Sequence, residues 1–228
     1  MCFSASASFT AAAVIGGIGY ATLKSNTKPN QKVFASIPIL FAFQQLCEGF
    51  IWLSYSQTDF LYLRAPFTFL FLVFAWAVWP IMLPWSMLRM EINPIKKQMQ
   101  WYMLLIGGFV GLSALYNIAY RQPVAYISNF HIDYEMLTSS HQPFLSDLHS
   151  FMYVISTLLP LFLASYKRVR VFAYINLVAF ALAFFFFEKA LPSTWCFFAA
   201  LLSGIIYWLL NDKKNMIPDA DQLSKQFN

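Results

Sequence analysis

The sequence predicts an all-α protein, a polytopic bundle of seven transmembrane helices. Three observations carry this. Only 11% of the 228 residues are charged and 59% are hydrophobic, against about 25% and 45–50% in soluble domains. Apolar runs of roughly 20 residues, the length that spans a bilayer core, recur along the chain. Lys and Arg fall in the short links between those runs, and mostly on alternate links. An aromatic share of 19%, with 25 Phe, suits lipid contact, while Trp and Tyr suit the two interfaces.

The first span is expected over about Ser4–Leu23. No basic segment precedes it, so it reads as a retained helix rather than a cleaved signal. Its Ala, Ser and Gly residues permit close helix approach, which predicts a place among the other helices. Lys24–Lys32, with Asn26, Pro29 and Asn30, reads as a turn. The second span is expected over about Val33–Tyr55 and the third over about Leu63–Leu88, where Pro80 and Pro84 should kink the later half. A basic loop, Arg89–Met99, precedes the fourth span, about Gln100–Tyr120. The longest loop follows, about Arg121–Ser146, carrying His131, Asp133, Glu135 and His141. The fifth, sixth and seventh spans are expected over about Asp147–Tyr166, Val171–Phe187 and Thr194–Leu210. Residues 1–210 thus read as one seven-helix domain, and 211–228 as a loosely ordered polar tail.

Charge sets the orientation. Twelve of the 15 Lys and Arg lie in the links after odd-numbered spans and in the tail; Arg64, Arg121 and Lys189 lie on the opposite side. The positive-inside bias therefore places the N-terminus outside and the C-terminus in the cytoplasm. The same bias explains the net charge of +5, so no nucleic-acid partner is expected. The expected partners are the lipid bilayer and an unknown small molecule or ion.

Polar residues gather in the outer half of the predicted bundle. Glu48 lies about seven residues before the outer end of the second span, roughly 10 Å deep at about 1.5 Å per residue. Gln44, Gln45 and Trp52 share its helix face. A carboxylate at this depth costs several kcal/mol and is expected to face the bundle interior or a wet cavity. Tyr116 and Asn117 end the fourth span, Asp147, His149, Ser150 and Tyr153 open the fifth, Glu188 ends the sixth, and Trp195 and Cys196 open the seventh. The expectation is a polar outer pocket centred on Glu48, with Gln44, Gln45, Trp52, Tyr116, Asn117, His149, Tyr153 and Trp195 around it.

Other readings stay open. Glu48 can be a structural hydrogen-bonding acid, and Asp147 can cap a helix start beside an exposed His149. Cys47, on an apolar helix, reads as a small core hydrophobe. Cys2 and Cys196 both fall at the outer face, where a disulfide, a pair of free thiols, or a transition-metal site with Glu48 and His149 are all chemically allowed. HExxH, GxSxG, GxGxxG and P-loop motifs are absent.

The opening Met1–Phe9 (Met-Cys-Phe-Ser-Ala-Ser-Ala-Ser-Phe), with Gln45–Trp52 and Trp195–Ala200, resembles an uncharacterised bacterial family of small seven-helix membrane proteins. The resemblance implies that fold and a bacterial inner (plasma) membrane location, and supplies no activity. Asp147, His149 and Ser150 also look similar to one part of the site of seven-helix zinc hydrolases of the alkaline-ceramidase and progestin-receptor type. That family's pattern needs three histidines, and the seventh span here has none. Three function classes follow: binding, sensing or transport at the Glu48 pocket; a metal-dependent membrane-embedded enzyme using Glu48, His149, Asp147 and the outer cysteines; and a structural or assembly protein.

Overall fold

Helix starts are written in short side-chain signals that the apolar runs obscure. The computed structural model of the chain describes residues 4–26, 28–128, 131–137, 143–186 and 191–211, with backbone only for 143–146, 186, 191–197 and 199–201. Helix α1 (Ala5–Ser25) is capped by Ser4, whose Oγ accepts from the Ala7 N–H at 3.2 Å. Asn26 Nδ2 donates to Gln31 Oε1 at 3.2 Å across the turn into α2 (Lys32–Ser56). The α1–α2 contact is close because two glycines admit it. A Cβ on Gly19 would lie 2.9 Å from the Ile39 backbone nitrogen, and one on Gly49 would lie 2.7 Å from the Phe9 ring.

The third helical segment is continuous but irregular. It contains α3 (Arg64–Leu72), a π-helical turn over Val73–Val78, and α4 (Trp79–Met90). Pro80 has no N–H for the Trp76 carbonyl, and Pro84 has none for the Pro80 carbonyl. The helix answers by widening just ahead of Pro80. The break is therefore upstream of the two prolines, where the sequence placed a kink among them.

Helix α5 (Pro94–Arg121) begins six residues earlier than the apolar run suggests. Asn93 is its cap, with Oδ1 accepting from the Ile95 and Lys96 N–H groups at 3.1 Å, and Pro94 takes the first helical position. The helix ends at Gln122, whose φ of 49° turns the chain sideways. Part of the expected long loop is an antiparallel hairpin, β1 (Pro123–Ser128) with β2 (His131–Met136), Ala125 opposite Tyr134. His131, assigned to that loop, therefore sits on a strand, 3.3 Å from Asp133. Helices α6 (Pro143–Leu163), α7 (Lys167–Phe186) and α8 (Leu191–Asn211) complete the bundle. Counting α3 to α4 as one, seven helical segments are found among the described residues.

Helix α2 is the centre. Two thirds of its span (67%) is buried, against 28% for α5 and 22% for α1. The small residues of α1 therefore serve one face only, against α2 and α8, and the helix is peripheral where the sequence placed it among the others. One core joins Phe34, Phe41, Trp79, Met87, Phe172 and Ile206 at the end carrying the basic links. A second core, under the hairpin, joins Cys47, Ile51, Phe71 and Ile118 to Ala125 and Ile132, with Tyr134 stacked on Phe71 at 4.8 Å. Among the described residues, five segments are long and apolar enough to cross a membrane: Ala5–Ser25, Pro29–Ser56, Thr58–Met90, Pro94–Arg121 and Lys167–Phe185. Shorter apolar stretches fill Asp147–Leu163 and Leu202–Asn211.

Polar bonds tie both ends. At the basic end the Glu91 carboxylate accepts from Ile92 N–H (3.0 Å), Asn93 N–H (2.9 Å), Ser165 N–H (2.9 Å) and Ser165 Oγ (2.7 Å). It thereby sits at the N-termini of α5 and α7, where helix dipoles favour an anion. At the hairpin end the Tyr55 hydroxyl donates to the Ala125 carbonyl, and the Arg64 guanidinium lies 3.5 Å over the Tyr55 ring.

Candidate functional site

The polar residues of α2 form a buried seam. One helical turn brings Gln44, Gln45 and Glu48 to one level of the bundle, and all three are essentially inaccessible. Gln45 Nε2 donates to Glu48 Oε2 at 3.2 Å. Gln44 turns toward α4, where its Oε1 accepts from Trp79 Nε1 at 2.9 Å. The Trp79 ring is held by Phe41, stacked at 3.9 Å. Trp52, one turn beyond Glu48, is buried with Cys47 and Ile51 in the core under the hairpin. A fully buried carboxylate accepting from an amide is chemically an acceptor site, able to hold a cation or a hydrogen-bond donor.

Tyr153 reaches this seam from α6, its hydroxyl donating to the Ala75 carbonyl of the π turn at 2.6 Å. Below it, a cavity of about 20 Å³ is lined by Trp79, Tyr153, Thr157, Asn176, Phe41 and Leu202 among others. These residues lie near the middles of their helices. The sequence had placed the polar set in one half of the bundle only. The structure extends it through Thr157 and Asn176 and, at the basic end, through Gln100 and Glu91, all four buried.

The other expected lining residues go elsewhere. His149 Nε2 lies 2.9 Å from Ser113 Oγ and 3.3 Å from the Val110 carbonyl, so it links α6 to α5. Asn117 donates to the Ser113 carbonyl of its own helix at 2.8 Å. Tyr116 is exposed and stacked on Tyr120. Asp147 is exposed at the start of α6. Trp195 and Cys196 lie on the α8 backbone, with side chains outside the described set, and Cys2, His141 and Glu188 lie outside the described residues. The proposed Cys2–Cys196 proximity and the metal set Cys2, Glu48, His149 and Cys196 therefore lie partly outside it. Among the described residues no three metal-ligating side chains gather.

Two of the missed residues carried a signal. Asn176 is the one side-chain amide in the run from Val171 to Phe186, and Glu91 is an acid set among Arg89, Lys96 and Lys97. Reading polar groups only near predicted helix ends hid the first, and reading its segment as a basic loop hid the second.

Residues 1–221, the whole bundle with part of the tail, match the Family of unknown function (DUF6629). The chain belongs to that family. No curated protein and no solved structure matches it significantly. Membership in DUF6629 spans Glu48, Asn176 and Glu91 alike, and assigns a role to none of them.

Proposed function

We propose that this chain is a multi-pass protein of the bacterial inner (plasma) membrane that binds, senses or transports a small molecule or ion at the buried seam centred on Glu48. In this reading residues 1–210 form one seven-span domain, the N-terminus lies outside, and residues 211–228 form a cytoplasmic tail. Apolar outer faces support the bilayer as solvent: Leu105, Phe109 and Leu112 on α5, and Val178 and Phe185 on α7, are all exposed. Burying such side chains in lipid costs nothing, whereas exposing them to water does.

The observation that carries the functional part is Glu48 itself, at 0% exposure in the central helix. An ionisable side chain inside an apolar span is expensive, and such groups mark binding or ion pathways. The π turn beside the seam supports it, since π turns concentrate at functional sites. The ligand expected is a cation or a hydrogen-bond donor, matching a carboxylate framed by amides. The test is native mass spectrometry and elemental analysis of the protein in nanodiscs, comparing wild type with Glu48→Gln. A species bound to wild type and lost from a Glu48→Gln protein of unchanged melting temperature supports the reading. An identical bound complement in the two proteins overturns it.

A further inference from the structure

The mid-bundle cavity is a separate feature from Glu48. It encloses about 20 Å³, and roughly 10–15 Å³ on this measure admits one water molecule. A cavity of this size with only apolar walls stays dry. Asn176 changes that expectation. It is 5% exposed, it lines the cavity from the middle of α7, and its Oδ1 has no hydrogen-bond partner in the protein. A buried acceptor left in that state costs about 1–3 kcal/mol.

The other polar walls have committed their hydrogens. Trp79 Nε1 donates to Gln44, the Tyr153 hydroxyl to the Ala75 carbonyl, and the Thr157 hydroxyl to the Tyr153 carbonyl at 2.8 Å. Oxygen lone pairs remain, so what the cavity calls for is a small donor. None of the described lining side chains is acidic. A cation would therefore be stripped of water without a counter-charge, which is costly. A neutral donor of water size fits both the volume and the chemistry.

We propose that the cavity binds one internal water molecule, donating to Asn176 Oδ1 and Thr157 Oγ1 and bridging α6 to α7 beside the π turn. X-ray radiolytic footprinting in nanodiscs tests this, because hydroxyl radicals born from a trapped water label its immediate neighbours. Tyr153, Phe41 and Leu202 should be oxidised several-fold faster than Phe71 and Leu72, which are fully buried under the hairpin. Asn176→Leu, which removes the acceptor and fills the space, should bring those rates down to the Phe71 level while Cys47 stays shielded from alkylation. Thr157→Val, close in shape, should lower them as well and serves if the first variant does not fold. Wild-type labelling no faster than at Phe71 overturns the proposal. So do rates that both variants leave unchanged, which would show water arriving by another route. Labelling that changes when sodium is replaced by choline would assign the cavity to a cation instead, and also overturns it.

Discussion

Gly107 is where α5 meets the proline-broken segment, and adding one methyl group there tests the packing directly. A Cβ on Gly107 would overlap the Pro80 carbonyl oxygen and lie 2.7 Å from its carbon. That carbonyl is the one Pro84 cannot serve, so the Gly107 Cα hydrogen faces an oxygen left without its helical donor. Gly111, one turn on, is the second member of a Gly-xxx-Gly pair; its Cβ would lie 2.7 Å from the Ala77 carbonyl oxygen and 2.8 Å from Ile81 Cδ1. Gly108, between them, faces open space. Alanine gains about 1 kcal/mol over glycine in helix propensity, while forced overpacking costs about 1–3 kcal/mol or more. At Gly107 the obstacle is backbone, which cannot rotate away, so the upper end applies and the net loss is about 2 kcal/mol. For a chain of this size that is roughly 4–8 °C in melting temperature. Gly111→Ala should lose less, since Ile81 can shift, and Gly108→Ala should be neutral or slightly stabilising. The assay is thermal exposure of Cys47, fully buried in α2, to a thiol-reactive dye, with Cys2→Ser and Cys196→Ser leaving it the single thiol. If Gly107→Ala melts with Gly108→Ala, the close crossing of α4 and α5 is wrong.

Glu48→Leu should destabilise by about 1–3 kcal/mol, because it strands the Gln45 amide, whereas Glu48→Gln should melt near wild type; equal losses from both would make Glu48 a purely structural acid. Glu91→Ala removes the acceptor of four hydrogen bonds and should cost about 2–4 kcal/mol; a double-mutant cycle with Ser165→Ala should show coupling near 1 kcal/mol or more, and simple additivity would contradict the cross-link. A reporter active only in the cytoplasm should work when fused after Asn211 and fail when fused within Gln122–His141, and the reverse pattern would invert the proposed orientation. Tyr126 donates to Glu135 Oε1 at 2.7 Å, and that bond, with neighbouring Glu135 and Asp133 charge, pushes its phenol up to about 12. Since this lies above the ordinary value of about 10, the hairpin's stabilisation is complete below pH 10 and fades as pH rises through 12. Tyrosinate absorbance should show a late-titrating phenol that Tyr126→Phe removes.

The helical segments were legible because a run of apolar residues near 20 long leaves few alternatives, and each of the expected spans overlaps an observed helix. Their starts were less so. Pro94 and Asn93 are a plain start signal, yet the apolar window begins only at Gln100, and counting hydropathy hides a polar first turn. The hairpin was missed for the opposite reason. Val124–Ile127 and Ile132–Tyr134 are short β-branched and aromatic runs separated by a brief link, the ordinary hairpin pattern, but the charged residues scattered through the stretch make it read as a long loop between spans. The candidate site was half legible. Burial of Glu48 follows from the cost of leaving a carboxylate in an apolar environment. Its surroundings do not, because which helix lies beside α2 depends on packing that no single sequence encodes locally. Hence Trp79, rather than Tyr116 or Asn117, meets the α2 amides.

The buried polar residues separate into two kinds by what they bond. Tyr153, Asn117, Gln100 and Tyr166 donate to main-chain carbonyls of Ala75, Ser113, Pro160 and Met90. Three of these bonds cross between helices, and two of them join the α6 side to the segment of α4. Apolar faces discriminate poorly among helix partners when the surroundings are themselves apolar, so bonds of this kind fix which helices are neighbours. Any side chain of the right length with one donor can fill that role. The α2 seam is different in kind, because there side chain meets side chain: Gln45 with Glu48, and Gln44 with Trp79. A buried carboxylate beside an amide in the central helix is the kind of group that a cation or a hydrogen-bond donor would meet. If the proposed reading holds, substitutions at Gln45 should perturb binding where substitutions at Tyr166 perturb stability alone.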